Sequence, residues 1–508
     1  MIKAEITIAA GGMFLLATLN MAALGSQLTK GEVKEVLRCI AKGENRLDKA
    51  YEQTMKRIKS QEENRSRLAQ RVLACIFHAK RPLSTAELQD ALAVRPSMST
   101  LDRDYLYDVE TVLSVCAGLI RLYEKNQIID LIHKTTRDYF EMTKETWFPN
   151  AETEFTTTYV TYLSFDEFKS GPCQTDNGFE ERLRLYPLYG YAAHNWGHHA
   201  RKALTLGQEV IDFLECKAKV EASNQALIKN RGRSGLYYSK SFPKRMTGLH
   251  LAAYFGLGEA AKALLNLDHD PNSKDSYGRT PLSWAAKIGH EAVVKRLLEK
   301  AVTDVNPSDS DGCTPLWDAA RKGDEVITRM LLQGGATANV KRVEKGYIYS
   351  YGESRVYTNA LHEAAKHGHK VVTSLLLEYG APIDEPSEEI REVDDDTLAD
   401  HTRGFSGMHS FTGFGGMNSF GGFGRTNYPG YFSGLDYFLQ DPIHPRHDSP
   451  GTITVTTTER TAICLATEKG HDEIMQLLAK KGAKRVLVPT SYESVVPKHN
   501  PNPNPNSK

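Results

Sequence analysis

The sequence lacks a net charge, because its 63 Lys and Arg residues balance 63 Asp and Glu residues over 508 positions. A general binder of nucleic acid or membrane surfaces is expected to carry excess positive charge, so the composition argues against both classes. The chain also lacks any Cys-x-x-Cys pair, which argues against a zinc site or a disulfide framework. Its seven cysteines are scattered, and we interpret them as reduced thiols of an intracellular protein. They are Cys39, Cys75, Cys116, Cys173, Cys216, Cys313 and Cys464.

Motifs that support catalysis are missing as well. No Gly-Lys dipeptide occurs, so the sequence has no G-x-x-x-x-G-K-[ST] loop to cradle phosphates. The nucleophile motif G-x-S-x-G is also absent. His194, His198 and His199 share a short segment, but no glutamate completes an H-E-x-x-H set, and we interpret them as packed or capping residues. We therefore predict no enzymatic activity, no catalytic residue, no cofactor and no metal site.

One segment lacks charge altogether. Residues 6–29 contain no charged side chain, and they resemble both a secretory signal core and a short membrane span. Gly11, Gly12, Thr18 and Asn20 dilute the apolar character that lipid-facing residues need. We favour a buried helix here, with a secretory signal and a membrane span as the alternatives.

Against these absences stands an internal repeat. Thr280 follows Thr247 by 33 residues, and Thr314 follows Thr280 by 34. Variants of the pattern T-P-L-x-x-A-A-x-x-G begin at Thr247, Thr280, Thr314, Asn359 and Thr461. This period and this core resemble the ankyrin repeat, a β-turn followed by two antiparallel helices. The resemblance implies an α-solenoid.

The shared positions of the repeat have physical roles. Thr280 and Thr314 are suited to cap the first helix, and Pro281 and Pro315 occupy the first helical position, where a missing N–H costs nothing. A glycine falls where that helix must end, since glycine adopts the left-handed conformation without a steric penalty. These glycines are Gly256, Gly289, Gly323, Gly368 and Gly470. Gly248 replaces the proline in the first copy, and we expect departing copies to be looser or to act as caps.

Two intervals between copies are long. The interval from Thr314 to Asn359 includes a tyrosine-rich stretch at the loop position. The next interval holds residues 385–455, which begin acidic and then become rich in Gly and Phe. Because so much glycine is entropically costly in a packed element, we predict a disordered insertion that acts as a linker or as a self-association segment through its Phe-Gly pairs. Residues 488–508 are predicted to form a disordered tail.

An ankyrin solenoid offers an extended concave surface made of loops and first helices, which suits protein recognition. Aromatic residues and arginine are the usual anchors of protein interfaces. We therefore predict partner-binding residues at loop tips and exposed first-helix positions, with plain packing as the alternative for each Trp. The predicted set is Tyr277, Arg279, Trp284, Trp317, Asp318, Arg321, Tyr347, Tyr349, Tyr351 and Glu363.

The half before the repeats has the order of a winged-helix domain. Apolar residues at helical spacing predict a helix around residues 68–79, and Ser84 with Glu87 forms the capping box of the next one. A further helix is predicted over residues 103–116. Residues 118–133 alternate apolar and polar side chains around a polar turn, which is typical of a β-hairpin.

The helix before this hairpin is acidic. Its segment LDRDYLYDVETVL at 101–113 carries Asp102, Asp104, Asp108 and Glu110 against a lone Arg103. Winged helices often bind DNA through such a helix, but a phosphate-lined groove would repel this one. We predict that it contacts protein or only packs.

Seven stretches of this half form a further pattern. They are GMFLLATL at 12–19, LDKAYEQTMKRI at 47–58, AKRPLSTAELQDALAV at 79–94, VCAGLIRL at 115–122, IHKTTRDYFE at 132–141, TYLSFDEFKSGPC at 161–173 and YPLYGYAAHNWGHHAR at 186–201. They resemble the region after the nucleotide-binding domain of fungal NACHT–ankyrin proteins of the STAND class. In that family GMFLLA lies near the end of the nucleotide-binding module, which favours a buried helix at residues 6–29. The missing phosphate loop means that the family's ATPase activity is not carried over.

The predicted fold class is mainly α, with a helical and winged-helix N-terminal region followed by an ankyrin-repeat solenoid that contains a disordered insertion. The predicted organisation is a post-NACHT helical remnant at 1–60, a winged-helix-like domain at 61–145, a helical region at 146–230, a basic linker at 231–246, four ankyrin repeats at 247–384, the insertion at 385–455, a terminal repeat at 456–487 and a tail at 488–508. We expect a non-enzymatic, cytoplasmic scaffold for protein partners, related to fungal NLR-like signalling and non-self recognition, with the nucleus as a second location. We expect no binding to nucleic acid or membranes. The alternative is a fragment of a STAND NTPase whose nucleotide-binding half is encoded upstream or supplied in trans.

Overall fold

The computed structural model describes residues 46–228, 242–348, 352–394, 453–484 and 487–490. These residues are mainly helical, as predicted, and they fall into two compact units, residues 1–267 and 268–508. No helix within the described residues is both long and apolar enough to cross a membrane. The uncharged segment at 6–29 and most of the predicted basic linker lie outside the described residues.

The first unit begins with a winged-helix arrangement. Its elements are α1 (Arg46–Lys59), α2 (Glu63–His78), β1 (Leu83–Ser84), α3 (Thr85–Ala93), α4 (Val109–Val115), β2 (Ile120–Tyr123) and β3 (Ile128–Leu131). The strands form an antiparallel sheet in the order β1-β3-β2, which confirms the predicted hairpin. The capping box is confirmed too, since Ser84 and Glu87 each accept the other's backbone N–H.

The helix predicted over residues 103–116 is wrong as a single element. The chain instead forms a 3₁₀ helix (Arg103–Tyr105) and then α4. The side chain of Asp102 accepts the N–H of Asp104, and the side chain of Asp108 accepts the N–H of Thr111. Each aspartate therefore starts a new helix, and the segment between them cannot continue the first.

The rest of the first unit is an aromatic-rich helical region. It contains α5 (Lys134–Trp147), α6 (Ala151–Leu163), α7 (Asp176–Leu185), α8 (Leu188–Ala200), α9 (Gln208–Glu215) and α10 (Lys217–Leu227). Helices α6 and α8 pack along each other. Large fully buried rings fill the core, and Phe168 stacks on Tyr189 with ring centroids 4.5 Å apart.

The first ankyrin copy belongs to this unit. Its helices α11 (Gly248–Phe255) and α12 (Gly258–Asn266) pack against α9. A Cβ atom at Gly248 would lie 2.1 Å from the carbonyl oxygen of Leu214, and one at Gly197 would lie 2.1 Å from the Phe255 ring. The glycine that replaces proline therefore permits close contact with α9. The first copy packs within the first unit, which ends at Leu267.

The second unit contains four further helix pairs. They are α13 (Pro281–Ile288) with α14 (Glu291–Leu298), α15 (Pro315–Lys322) with α16 (Glu325–Gln333), α17 (Ala360–Lys366) with α18 (Lys370–Glu378), and α19 (Ala462–Glu468) with α20 (Asp472–Lys480). The first helices stack in one layer and the second helices in another. Thr280, Thr314 and Asn359 cap their helices through the side chain. All five predicted glycines have left-handed φ values between +73° and +94°.

An antiparallel sheet runs along the loops of these repeats. Its strands are β4 (Arg342–Ile348), β5 (Gly352–Thr358), β6 (Ser387–Asp394), β7 (Ile453–Arg460) and β8 (Leu487–Thr490), paired in this order. The described ends of the tyrosine-rich loop are β4 and β5, which pair with each other as an antiparallel hairpin. Strands β6 and β7 extend into the two ends of the predicted insertion at 385–455, and β8 extends into the predicted tail at 488–508. The remainder of the insertion, residues 395–452, lies outside the described residues.

Candidate partner-binding surface

The first helices of the second unit turn one side away from the second-helix layer. On α15 the residues that are not buried are Asp318, Arg321 and Lys322, which lie three and four positions apart and therefore share one side of the helix. The equivalent positions are Trp284 and Lys287 on α13 and Glu363 and Lys366 on α17. We call this set the inner face. It consists of Trp284, Lys287, Asp318, Arg321, Glu363 and Lys366.

Trp284 and Arg279 were predicted to be exposed anchors, and the structure buries both. The Trp284 side chain is 3% exposed, and its Nε1 donates to Asp275 Oδ2 at 3.1 Å. The Arg279 guanidinium lies over the Trp284 ring at 5.1 Å and over the Tyr277 ring at 5.1 Å. Its Nε is 3.6 Å from Asp309 Oδ2. These contacts hold the loop against the helix, whereas Tyr277 stays partly exposed.

Trp317 is likewise buried, at 1% exposure, because it occupies the third helical position, which points toward the cap. In the neighbouring repeats this position holds a side chain that completes a capping box. The Trp317 Nε1 instead donates to Thr358 Oγ1 at 3.3 Å. The Arg342 guanidinium covers the ring at 4.3 Å, and that of Arg321 lies 5.4 Å away. Trp317 therefore packs, which was the stated alternative.

Glu363 occupies the same helical position as Asp318 but is only 3% exposed. Its Oε2 lies 3.6 Å from His367 Nδ1 on the next turn. The neighbouring His362 is also buried, its Nε2 is 2.8 Å from the carbonyl oxygen of Glu385, and burial lowers its pKa to about 4. The predicted exposure of Glu363 is therefore wrong, since it lies within the packed layer.

Asp318 differs in exposure and in contacts from Glu363, the other acidic residue of the inner face. It is partly exposed, and its carboxylate forms no hydrogen bond or ion pair with any residue that the structure describes. Burial and, to a smaller degree, the negative charge of Asp309 raise the pKa of Asp318 above its ordinary value. The positive charges of Lys287, Arg279 and Arg342 act in the opposite direction. Arg321, one turn further on, is exposed. These two residues are the charged members of the predicted set that the structure leaves at least partly exposed.

The three remaining tyrosines of the predicted set are Tyr347, Tyr349 and Tyr351, and the structure describes only the backbone of Tyr347. Tyr347 is part of β4 and pairs with Glu353, but its side chain lies outside the described atoms. Tyr349 and Tyr351 lie outside the described residues altogether. Their role in partner binding stays a prediction.

The sequence analysis did not identify three residues that contact members of the predicted set, namely Asp275, Asp309 and Arg342. Asp275 and Asp309 each precede a capping threonine by five positions, and this repeated spacing was the signal that could have identified them. Arg342 lies at the start of β4 and covers the ring of Trp317 on α15. Because the two residues are distant in the sequence, no local pattern identifies this contact.

No group of three metal-binding side chains occurs among the described residues. The histidines of α8 are held in separate contacts: His194 Nδ1 is 2.7 Å from the carbonyl oxygen of Gly190, and His199 Nδ1 is 2.6 Å from Glu152 Oε2. The described cysteines are free thiols, and burial raises the pKa of Cys75 to about 12. Such a thiol stays protonated and unreactive at neutral pH.

Three segments of the chain match known families. Residues 55–156 match the family described as GPI inositol-deacylase, winged helix domain. Residues 249–342 match ankyrin repeats in three copies, and residues 358–388 match a single ankyrin repeat. The chain therefore carries a winged-helix domain of this type followed by ankyrin repeats, an order consistent with a NACHT-associated architecture.

Curated relatives share only a short segment. The neurogenic locus notch homolog protein 1 of Cricetulus griseus and that of Mus musculus are each 42% identical over 59 residues. The protein of the same name from Homo sapiens is 41% identical over 59 residues. In each case the match covers 12% of this chain and 2% of the relative.

Proposed function

We propose that the chain is a non-enzymatic scaffold that binds a protein partner through the inner face of its ankyrin repeats. Ankyrin repeats are protein-interaction modules, and their first helices and loops line the surface used for recognition. The observation that carries the proposal is the pair of accessible, oppositely charged residues on α15, Asp318 and Arg321, above a floor of buried tryptophan rings.

A quantitative comparison of captured partners tests this proposal. Arg321→Ala removes an exposed charge of the inner face, and Arg329→Ala removes an equally exposed charge from the second-helix layer as the matched control. We expect the full-length chain and the Arg329→Ala variant to capture the same partners, and Arg321→Ala to lose them selectively. Equal capture by all three proteins would contradict the proposal.

We further propose a role in NLR-like signalling and non-self recognition of the fungal type, in the cytoplasm or the nucleus. The winged-helix domain followed by ankyrin repeats supports this role. Protein is the expected partner class, because the acidic residues around α4 disfavour a nucleic-acid groove. Self-association through the Gly/Phe-rich insertion remains part of the proposal.

The second candidate function is that of a recognition fragment of a STAND NTPase whose nucleotide-binding half is supplied in trans. The same domain order favours it. Titration of the purified chain with fluorescent ATP separates the two functions. We expect no saturable binding, and micromolar affinity would overturn the non-enzymatic assignment.

A further inference from the structure

The carboxylate of Asp318 is only partly exposed, and no residue that the structure describes donates a hydrogen bond to it. It projects from the first turn of α15, between the neighbouring first helices α13 and α17. A partly desolvated carboxylate that accepts no hydrogen bond destabilises the folded state. The raised pKa of Asp318 agrees with this geometry.

The nearby cations do not satisfy it. The Arg279 guanidinium is placed beside Asp309 and the Trp284 ring, and the Arg342 guanidinium covers Trp317. Lys287 is the strongest cationic influence on Asp318, but its Nζ does not come within ion-pair distance of the carboxylate. A lone carboxylate also cannot hold a metal ion, since no group of three metal-binding side chains exists among the described residues.

We propose that Asp318 is the anchor for a cationic side chain, arginine or lysine, of a protein segment bound on the inner face. Such a side chain supplies the direct hydrogen bonds and the contact ion pair that no described side chain makes with this carboxylate. This proposal rests on the proposed function, and it specifies the chemistry of the partner at one position of the surface.

Glu363, on the neighbouring first helix, provides a control for the role of Asp318. It lies at the equivalent position of α17, but it is buried and already lies next to His367. A bound cation therefore gains more from Asp318 than from Glu363. The two acids differ in accessibility and not in helical position, so unequal effects of their amide variants identify the unpaired carboxylate as the cause.

Selection from a random peptide display library tests the proposal with the full-length chain as the target. We expect enriched peptides to share an arginine or lysine. Their affinity falls about tenfold in Asp318→Asn, the loss expected for one hydrogen bond to a charged group. It changes less than about threefold in Glu363→Gln, and replacing the shared basic residue with glutamine weakens binding to the wild-type chain by the same factor as Asp318→Asn.

The outcomes separate the two proposals. Enriched peptides that lack a basic residue, or that bind Asp318→Asn as tightly as the wild-type chain, overturn the cationic anchor. If such peptides still lose binding to Arg321→Ala, the inner face remains the recognition surface and the proposed function stands. If no peptide is enriched, or if every enriched peptide ignores both substitutions, both proposals fail. Thermal unfolding of Asp318→Asn controls for folding, since we expect an unfolding temperature equal to or above that of the wild-type chain.

Discussion

The first unit pairs the shielded carboxylates of Asp90 and Glu152, whereas the second unit leaves the partly exposed carboxylate of Asp318 without a partner among the described residues. In the first unit, Asp90 Oδ2 accepts a hydrogen bond from Tyr162 Oη at 2.6 Å and one from the Leu188 N–H at 3.4 Å. Glu152 Oε2 lies 2.6 Å from His199 Nδ1. In the second unit, Asp318 has no such partner among the described residues.

The pKa values follow this difference. Burial alone would raise the pKa of Glu152, but hydrogen bonds from His199 and His78 outweigh it and hold the pKa well below its usual range. Burial also raises the pKa of Asp90, and its hydrogen bonds only reduce the shift. The paired carboxylates thus connect helices of the fold. Under our proposal, the carboxylate without a protein partner instead belongs to a binding surface.

The largest effect is expected at Asp90. In Asp90→Ala the buried Tyr162 hydroxyl loses its acceptor, and the contact between α3, α6 and α8 is broken. We expect a loss of about 2–4 kcal/mol in the free energy of unfolding, measured by urea denaturation. Asp90→Asn keeps an acceptor oxygen and should lose less. If Asp90→Ala were as stable as the wild-type chain, the hydrogen bonds to Asp90 would not stabilise the fold, and paired and unpaired acids would not differ as we expect.

Asp275 extends the comparison into the second unit, because it is a paired acid there. It accepts the backbone N–H of Tyr277 at 2.8 Å and of Arg279 at 3.0 Å, in addition to the indole N–H of Trp284. Asp275→Asn should destabilise the unit by about 1–3 kcal/mol. Tryptophan fluorescence during denaturation measures this loss. A gain of stability would show that pairing does not distinguish the acids.

Acidification tests the paired histidine of the first unit. Burial lowers the pKa of His199 from 6.5, although Glu152 opposes the shift. The stability that neutral His199 provides is complete above pH 6.5 and is lost as the pH falls below that value, by at most about 1.4 kcal/mol per pH unit for one proton. Hydrogen exchange of α6 and α8 reports it. His199→Gln should flatten the slope, and an unchanged slope would assign the pH dependence to other groups.

The smallest effect is expected at Asp318 itself. Because its folded pKa is raised above 3.8, the carboxylate destabilises the fold at neutral pH, and protonation relieves this as the pH falls through the folded pKa. Asp318→Asn should therefore gain about 0.5–1 kcal/mol at pH 7, a fraction of the cost of an unsatisfied buried group. The gap between the two proteins should close on acidification. A constant gap would contradict the role of charge.

Local chemistry made the repeats and their caps predictable. Thr280 and Thr314 cap their helices as the pattern required, and Ser84 with Glu87 did the same in the winged-helix domain. The docking of the first copy was not predictable, because Gly248 is explained only by the approach of Leu214 from another helix.

The five-stranded sheet and the contacts of the inner face could not be predicted, because they depend on residues that are distant in the sequence. Strand β6 pairs with β7 across the whole insertion, so Ser387 meets Arg460 in a register that no local pattern specifies. The aromatic and charged residues of the repeats were the basis for predicting partner-binding positions on the first helices. However, whether Trp317 packs or Asp318 lacks a partner depends on side chains that arrive from β4 and from the neighbouring repeat.

One measurement tests most directly the claim that the inner face is a recognition surface with a cationic partner. Thermal unfolding of the full-length chain is followed at increasing concentrations of an enriched basic peptide, with the wild-type protein and Asp318→Asn in parallel. A ligand that binds only the folded state raises the unfolding temperature as its concentration rises. We expect the unfolding temperature of the wild-type chain to rise with peptide concentration, and that of Asp318→Asn to rise much less. Equal rises in the two proteins would contradict the claim.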